Sequence, residues 1–226
     1  MTNPEYRHII MIVDRSGSMQ ACRAATEEGI NGLFAGQAAE DGEEGHGGSA
    51  TASLYQFDTE HDAVFAHVPL GEVPAYRLVP RGGTALLDAV GFAFAGEGEW
   101  LASLAEHERP GTVIAVIATD GMENSSREYN RTQIQEIIRR QQEDYNWQIL
   151  FIGANMNAVQ VAASYGIPAP QAMTFRASPA GAAASLSSVR RAMARGRVGE
   201  GYGFTAQERV AAMDDGDVVR GTGDAD

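Results

Sequence analysis

The sequence predicts an α/β fold, doubly wound, with a mostly parallel six-stranded sheet, one antiparallel edge strand and helices on both faces. Three observations carry this expectation. Short runs of strand length alternate with segments of helical period along most of the 226 residues. One run, residues 112–118, is rich in β-branched residues and apolar throughout, which suits a central parallel strand buried on both faces. Two other runs, 51–57 and 63–68, are joined only by Asp58-Thr59-Glu60-His61-Asp62. That link is too short for a parallel crossover, so this pair is antiparallel.

The elements follow in order. Residues 1–7 read as a polar lead-in, and 8–13 as the first strand, with an unbroken apolar run from Ile9 to Val13. Residues 19–37 space Met19, Cys22, Ile30, Leu33 and Phe34 near a helical period. Gly29 and Gly32 weaken that helix but permit close packing on a sheet. Cys22 lies on the apolar side and reads as a buried structural thiol. Residues 36–49 are rich in Gly and Glu and read as a mobile loop, with His46 solvated. Residues 58–62 read as a solvated hairpin turn, His61 included. Residues 70–81 are irregular and 85–94 helical; Gly96 and Gly98 bend or break the helix before it resumes at 100–107. After the 112–118 strand come a helix at 131–143, a strand at 147–152 and a short helix at 157–165. A last strand at 171–175 and an Ala-rich helix at 179–194 complete the set. Arg190, Arg191, Arg195 and Arg197 read as positive charge favoured at a helix C-terminus rather than as a phosphate site. The domain is therefore expected to span residues 1–195, with 196–226 a poorly packed acidic Gly/Asp-rich tail. Within that tail Thr205 and Glu208 have the spacing of a capping box.

Composition excludes several classes. The formal net charge is −13, which disfavours general nucleic-acid binding and anionic membrane surfaces. The N-terminal residues lack a basic n-region and no apolar run has the length of a membrane helix, so a cytoplasmic location is expected. The single cysteine, Cys22, allows no intrachain disulfide and agrees with a reducing compartment.

The chemistry concentrates where the first strand ends, at Asp14-Arg15-Ser16-Gly17-Ser18. A carboxylate and two hydroxyls at alternate positions supply only oxygen donors, which hard divalent cations such as Mg²⁺ prefer. One such residue could be a helix cap; three at this spacing exceed what capping needs. Asp120 follows the 112–118 strand closely, and a carboxylate delivered to the rim by a buried strand needs a compensating charge. A cation shared with Asp14 supplies one. Thr84 could cap the helix that follows it, but Gly82 and Gly83 before it also let backbone approach the site closely.

These three stretches, Asp14 to Ser18, Gly82-Gly83-Thr84-Ala85-Leu86 and Ile117-Ala118-Thr119-Asp120-Gly121, resemble the von Willebrand factor A family in content and order. The likeness covers about the first 175 residues and centres on that family's metal-ion-dependent adhesion site. The resemblance implies a Rossmann-like fold and a Mg²⁺ or Mn²⁺ site at Asp14, Ser16, Ser18, Thr84 and Asp120. It further implies that Ser16, Ser18 and Thr84 ligate directly while Asp14 and Asp120 act mainly through bound water. The cation then stays electrophilic, and an Asp or Glu of a protein partner can complete its coordination. Glu123, Asn124 and Asn155 are expected among the loops that set specificity, though Asn155 is equally placed to cap a helix. Compact intracellular bacterial members of the family, some serving AAA-type ATPase systems, are the analogy for the partner.

Enzyme patterns are absent. There is no phosphate-loop motif, indeed no lysine, no Gly-x-Ser-x-Gly and no His-Glu-x-x-His. The expectation is a metal-dependent protein-binding module and not an enzyme. The alternatives are a structural or self-assembling subunit using the same fold, and a Mg²⁺-dependent hydrolase. The five aspartates of residues 214–226 raise one more expectation, that the tail competes as a tethered carboxylate for the metal; a solubilising tail with no contact is the plainer reading.

Overall fold

The computed structural model describes residues 1–41 and 49–214. The strands are β1 (Asn3–Asp14), β2 (Ser49–Phe57), β3 (His61–Pro69), β4 (Pro110–Thr119), β5 (Gln148–Ala154) and β6 (Ala172–Phe175), in spatial order β3-β2-β1-β4-β5-β6. Five are parallel, and β3 runs antiparallel against β2 at one edge. The helices are α1 (Arg23–Asp41), α2 (Leu86–Ser103), α3 (Arg131–Tyr145), α4 (Ala158–Ala163), α5 (Pro179–Arg197) and α6 (Ala206–Met213). The expected α/β architecture is therefore the observed one.

The apolar run of β1 is explained by its position. Ile9, Met11 and Val13 face the layer of α1, α5 and α6, while Ile10 and Ile12 face α2, α3 and α4. A strand covered on both sides has no use for alternation. The chain leaves β1 toward β2 on one side and β4 toward β5 on the other. The rim above β1 and β4 is thus the point where strand order reverses, the crevice in which open α/β sheets bind ligands.

Several sequence expectations need correction. Residues 36–41 are not loop but the last turns of α1; residues 42–48, with His46, lie outside the described residues. Gly29 does permit close packing, but against α5 rather than the sheet: a Cβ there would meet Leu186 Cδ1 at 2.4 Å. α2 is continuous through Gly96 and Gly98. Each glycine costs about 1 kcal/mol relative to Ala, and burial of Val90, Ala93 and Phe94 overrides it.

The tail expected from Gly196 is also corrected in its described part. α5 runs to Arg197, and α6 packs onto α5 and β6 with Phe204 and Ala212 buried. The Thr205–Glu208 capping box is formed. Glu208 is buried and receives Arg191 Nε at 2.9 Å and Arg195 NH2 at 2.8 Å. Arg197 pairs with Glu40 at 3.0 Å. These arginines are therefore neither a phosphate site nor merely a favourable end charge; three of them clamp helices together. Residues 215–226, which carry four of the tail aspartates, lie outside the described residues.

Burial would push the Glu208 carboxyl up, but its bonds from Arg195, the Thr205 amide and Arg191 outweigh that and hold it at about 2. A depressed carboxylate contributes stability above its unfolded pKa and loses it as pH falls through the folded one. The docking of α6 is thus expected to weaken as pH falls from about 4.5 toward about 2. Glu208→Ala should bring the same undocking at neutral pH, at a cost on the order of 3 kcal/mol for the unpaired arginines. Proteolysis confined to the segment after Arg197 is the readout; wild-type resistance of that segment would contradict it.

Among the described residues, no helix is long and apolar enough to cross a membrane.

Candidate metal centre

β1 and β4 are paired up to Val13 and Ala118, so Asp14 and Thr119 emerge side by side at the rim, with Asp120 next. Asp14 is fully buried. Its Oδ1 accepts the Ser16 amide at 2.6 Å, and its Oδ2 accepts the Thr119 hydroxyl at 2.5 Å. The Ser18 hydroxyl donates to Asp120 Oδ1 at 2.7 Å, the Ser16 hydroxyl lies 3.3 Å from the same oxygen, and the two serine oxygens are 3.0 Å apart. Four of the five expected donors therefore form one connected group.

Thr84 arrives separately. It is not the cap of α2: the first α2 amides are taken by Glu123 at 3.0 Å and by the Ser126 hydroxyl at 3.1 and 3.2 Å. Its backbone is held by Asn124, whose Oδ1 accepts the Thr84 amide at 3.0 Å. Its hydroxyl stands over Gly121, where a Cβ would meet Thr84 Oγ1 at 2.8 Å. Glycine after Asp120 is what lets the third hydroxyl approach. Thr84 makes no hydrogen bond with Ser16 or Ser18.

The loops are strapped from behind. Arg15 turns away from Asp14 and binds Asp58 Oδ2 at 2.7 Å and Asp62 at 2.8 Å. Arg81 reaches the same Asp58 oxygen at 2.6 Å. The Asp58 carbonyl accepts the Ala85 amide at 2.7 Å, and the Gly17 amide donates to the Gly82 carbonyl at 3.3 Å. Gly82 has φ +66°, the left-handed region that favours glycine. Asp58 is buried, which corrects the expectation of a wholly solvated hairpin turn.

Electrostatics support a cation here. Burial pushes Asp14 up to about 6, partly offset by the Thr119 and Ser16 bonds and reinforced by the Asp120 charge. Burial likewise raises Asp120, against the pull of Ser18 and Ser16. The guanidinium of Arg15, next to Asp14 in sequence, is spent on Asp58 and Asp62. An all-oxygen set with two desolvated carboxylates and, among the described residues, no cationic side chain bonded to them fits a hard divalent ion. Without that ion, raised carboxyls cost stability as they ionise. For the metal-free protein the loss from Asp14 develops between about pH 4 and about 6 and amounts to about 3 kcal/mol above that window. Subtracting the pH–stability curve of Asp14→Asn in EDTA from that of wild type should expose this fall; a flat difference across the window would contradict it.

One expectation about the neighbouring loops is corrected. Glu123 accepts the Leu87 amide and the Ser126 hydroxyl, and exposed Asn124 accepts the Thr84 amide. Asn155 is not a helix cap; that role belongs to Asn157. Asn155 has φ +51° and its Oδ1 accepts the Ala177 amide at 3.0 Å, fixing the turn after β5. Met122 is a large apolar side chain exposed on this loop.

Sequence reading did not single out Thr119 as the residue orienting Asp14, although it stands inside the quoted motif. It also missed a cluster of His8 on β1, His67 on β3 and Glu97 on α2, with His8 and Glu97 buried.

No family model matches the sequence, and no curated protein does. Solved structures do resemble the fold. Proximal thread matrix protein 1 from the mussel byssus, solved with a zinc-occupied MIDAS motif, superposes with TM-score 0.54 at 14% identity over 82% of this chain and 44% of its own. A von Willebrand factor type A protein from Catenulispora acidiphila gives 0.51 at 16% identity, over 84% of this chain and 42% of that one. The vWF domain of the type V pili tip protein Mfa5 from Porphyromonas gingivalis gives 0.53 at 10% identity, over 87% and 97%. The chain spans less than half the length of the mussel and Catenulispora structures. The fold is that of a von Willebrand factor A domain.

Proposed function

We propose that this chain is a metal-dependent protein-binding module, a cytoplasmic one, and not an enzyme. The observation that carries the reading is the convergence of Asp14, Ser16, Ser18 and Asp120, with Thr84 poised over Gly121, on a rim bearing two desolvated carboxylates. Ser16, Ser18 and Thr84 would hold Mg²⁺ or Mn²⁺ directly, with Asp14 and Asp120 holding water around it. Bound there, the cation supplies an electrophilic position for an incoming carboxylate. The chain's own contribution is preorganisation: Thr119 and the Ser16 amide fix Asp14, while Asn124 and Asp58 fix the Thr84 loop. The partner recognised by this chemistry presents an Asp or Glu side chain; by analogy of fold an AAA-type ATPase system is a candidate. The test is capture of partners from lysate with Mg²⁺, with EDTA, and with Asp14→Ala. Proteins retained only by wild type in Mg²⁺ support the reading. Identical retention in all three arms, or metal-dependent turnover of a generic phosphoester by wild type, would count against it.

A further inference from the structure

We propose that His8, His67 and Glu97 form a second metal site, of the zinc class, between α2 and the middle of β1. His8 Nε2 lies 2.9 Å from Glu97 Oε2, and His67 Nε2 lies 3.2 Å from the same oxygen. All three donor atoms fall within 4.8 Å of one another. Ligands at 2.0–2.1 Å on a tetrahedral Zn²⁺ are about 3.3 Å apart, so the two N···O spacings need little change, while the imidazole nitrogens, within 4.8 Å of one another, would draw together around the ion. Two imidazoles and a carboxylate suit Zn²⁺ rather than Mg²⁺, which takes oxygen. Six residues of strand separate His8 from Asp14, roughly 20 Å, so the two centres are distinct in place and in chemistry.

The surroundings are those of a built site. His8 and Glu97 are fully buried, whereas the His67 side chain is 28% exposed and marks the way in. The other nitrogen of His8 lies 2.7 Å from Thr51 Oγ1, which is itself 2.8 Å from the Tyr6 hydroxyl. That contact leaves Nε2 for ligation. The Tyr55 hydroxyl donates to Glu97 Oε1 at 2.9 Å. Such partners orient metal ligands and are worth tenfold or more in affinity. Trp100 stacks on His67 at 3.9 Å between ring centroids.

The delivery of His67 is the more telling feature. Ala52 pairs with Val68 and Leu54 with Phe65, so Ala66 and His67 together oppose Ser53. This is a β-bulge, and bulges re-aim side chains. His67 sits at φ +58°, and its amide donates to Ser53 Oγ at 3.0 Å. His67 opposes Ser53 on the α2 face, and the extra residue at Ala66 lets Phe65 return to the α1 face. A left-handed conformation is strained for a non-glycine residue. A buried ion pair would need only one imidazole beside Glu97; here a second is brought in through a strained bulge to the same oxygen.

The test titrates Zn²⁺ into metal-stripped protein carrying Asp14→Ala, so that the first centre cannot answer for the second. One equivalent should bind and change the emission of Trp100, one of two tryptophans. Co²⁺ in its place should give the visible bands of a four-coordinate ion. Adding Glu97→Gln or His67→Ala should each lower Zn²⁺ affinity at least tenfold. His67 is the safer variant for folding, because its side chain is partly exposed, and it decides the matter alone if Glu97→Gln does not fold. Unchanged Zn²⁺ affinity in His67→Ala, or no saturable Zn²⁺ binding in the Asp14→Ala parent, would overturn the proposal.

Discussion

Asp14→Ala is expected to weaken Mg²⁺ and Mn²⁺ binding at least a hundredfold while the protein still melts cooperatively. Asp14 lies at the centre of the rim group: it carries charge, and it ties the Ser16 amide at 2.6 Å and the Thr119 hydroxyl at 2.5 Å into one frame. Removing it takes away both the strongest local attraction for a divalent ion and the anchor of the first serine. Folding should survive, because the core on both faces of β1 does not depend on the rim. Losing two hydrogen bonds costs on the order of 1 kcal/mol each, and without metal at neutral pH the relief of the desolvated carboxyl is at least as large. Calorimetric titration of wild type and variant, each beside a thermal melt in EDTA, checks both halves. Equal cation affinity would remove Asp14 from the site; loss of the melting transition in the variant would make its role structural.

Asp58→Ala is expected to have the largest effect on stability. Asp58 is buried beneath the rim with Arg15 and Arg81 on one carboxylate oxygen, and Arg15 is itself nearly buried. Breaking a buried pair by removing one partner costs about 3–5 kcal/mol. The figure here belongs near about 3, because Arg81 is half in solvent and Asp62 still pairs with Arg15. For a chain of this size that lowers Tm by roughly 10 °C. The same change loosens the Thr84 loop, so cation affinity should fall as well. Asp58→Asn, which keeps the shape, should recover part of the loss. A melt within about 2 °C of wild type for Asp58→Ala would show that the strap is dispensable.

The parts of this molecule readable in the sequence are those written in contiguous residues. Ile9 to Val13 signals a strand buried on both faces, and it runs straight into the oxygen donors. The five-residue link at 58–62 is enough to make β3 antiparallel. What could not be read depends on contacts between distant residues. Asp58 reads as solvated because nothing local reveals that Arg15 and Arg81 close over it. Glu208 looks like part of an acidic tail until Arg191 and Arg195 are brought to it. His8 and Glu97 are 89 residues apart and His67 joins them from a third element, so no spacing motif exists. A usable signal was present all the same. His8 is in phase with Ile10 and Ile12, and Glu97 with Phe94 and Leu101, so each is a charged or titratable group at a core position. Such groups are expensive unless partnered.

The account rests on a divalent cation held at the β1–β4 rim. Crystals grown with Mn²⁺ and measured at a wavelength where manganese scatters anomalously test this directly. The predicted result is an anomalous peak among Ser16, Ser18, Thr84 and Asp120, lost in crystals of Asp14→Ala. A rim without a peak, while Mn²⁺ is found elsewhere on the molecule or nowhere, would contradict it.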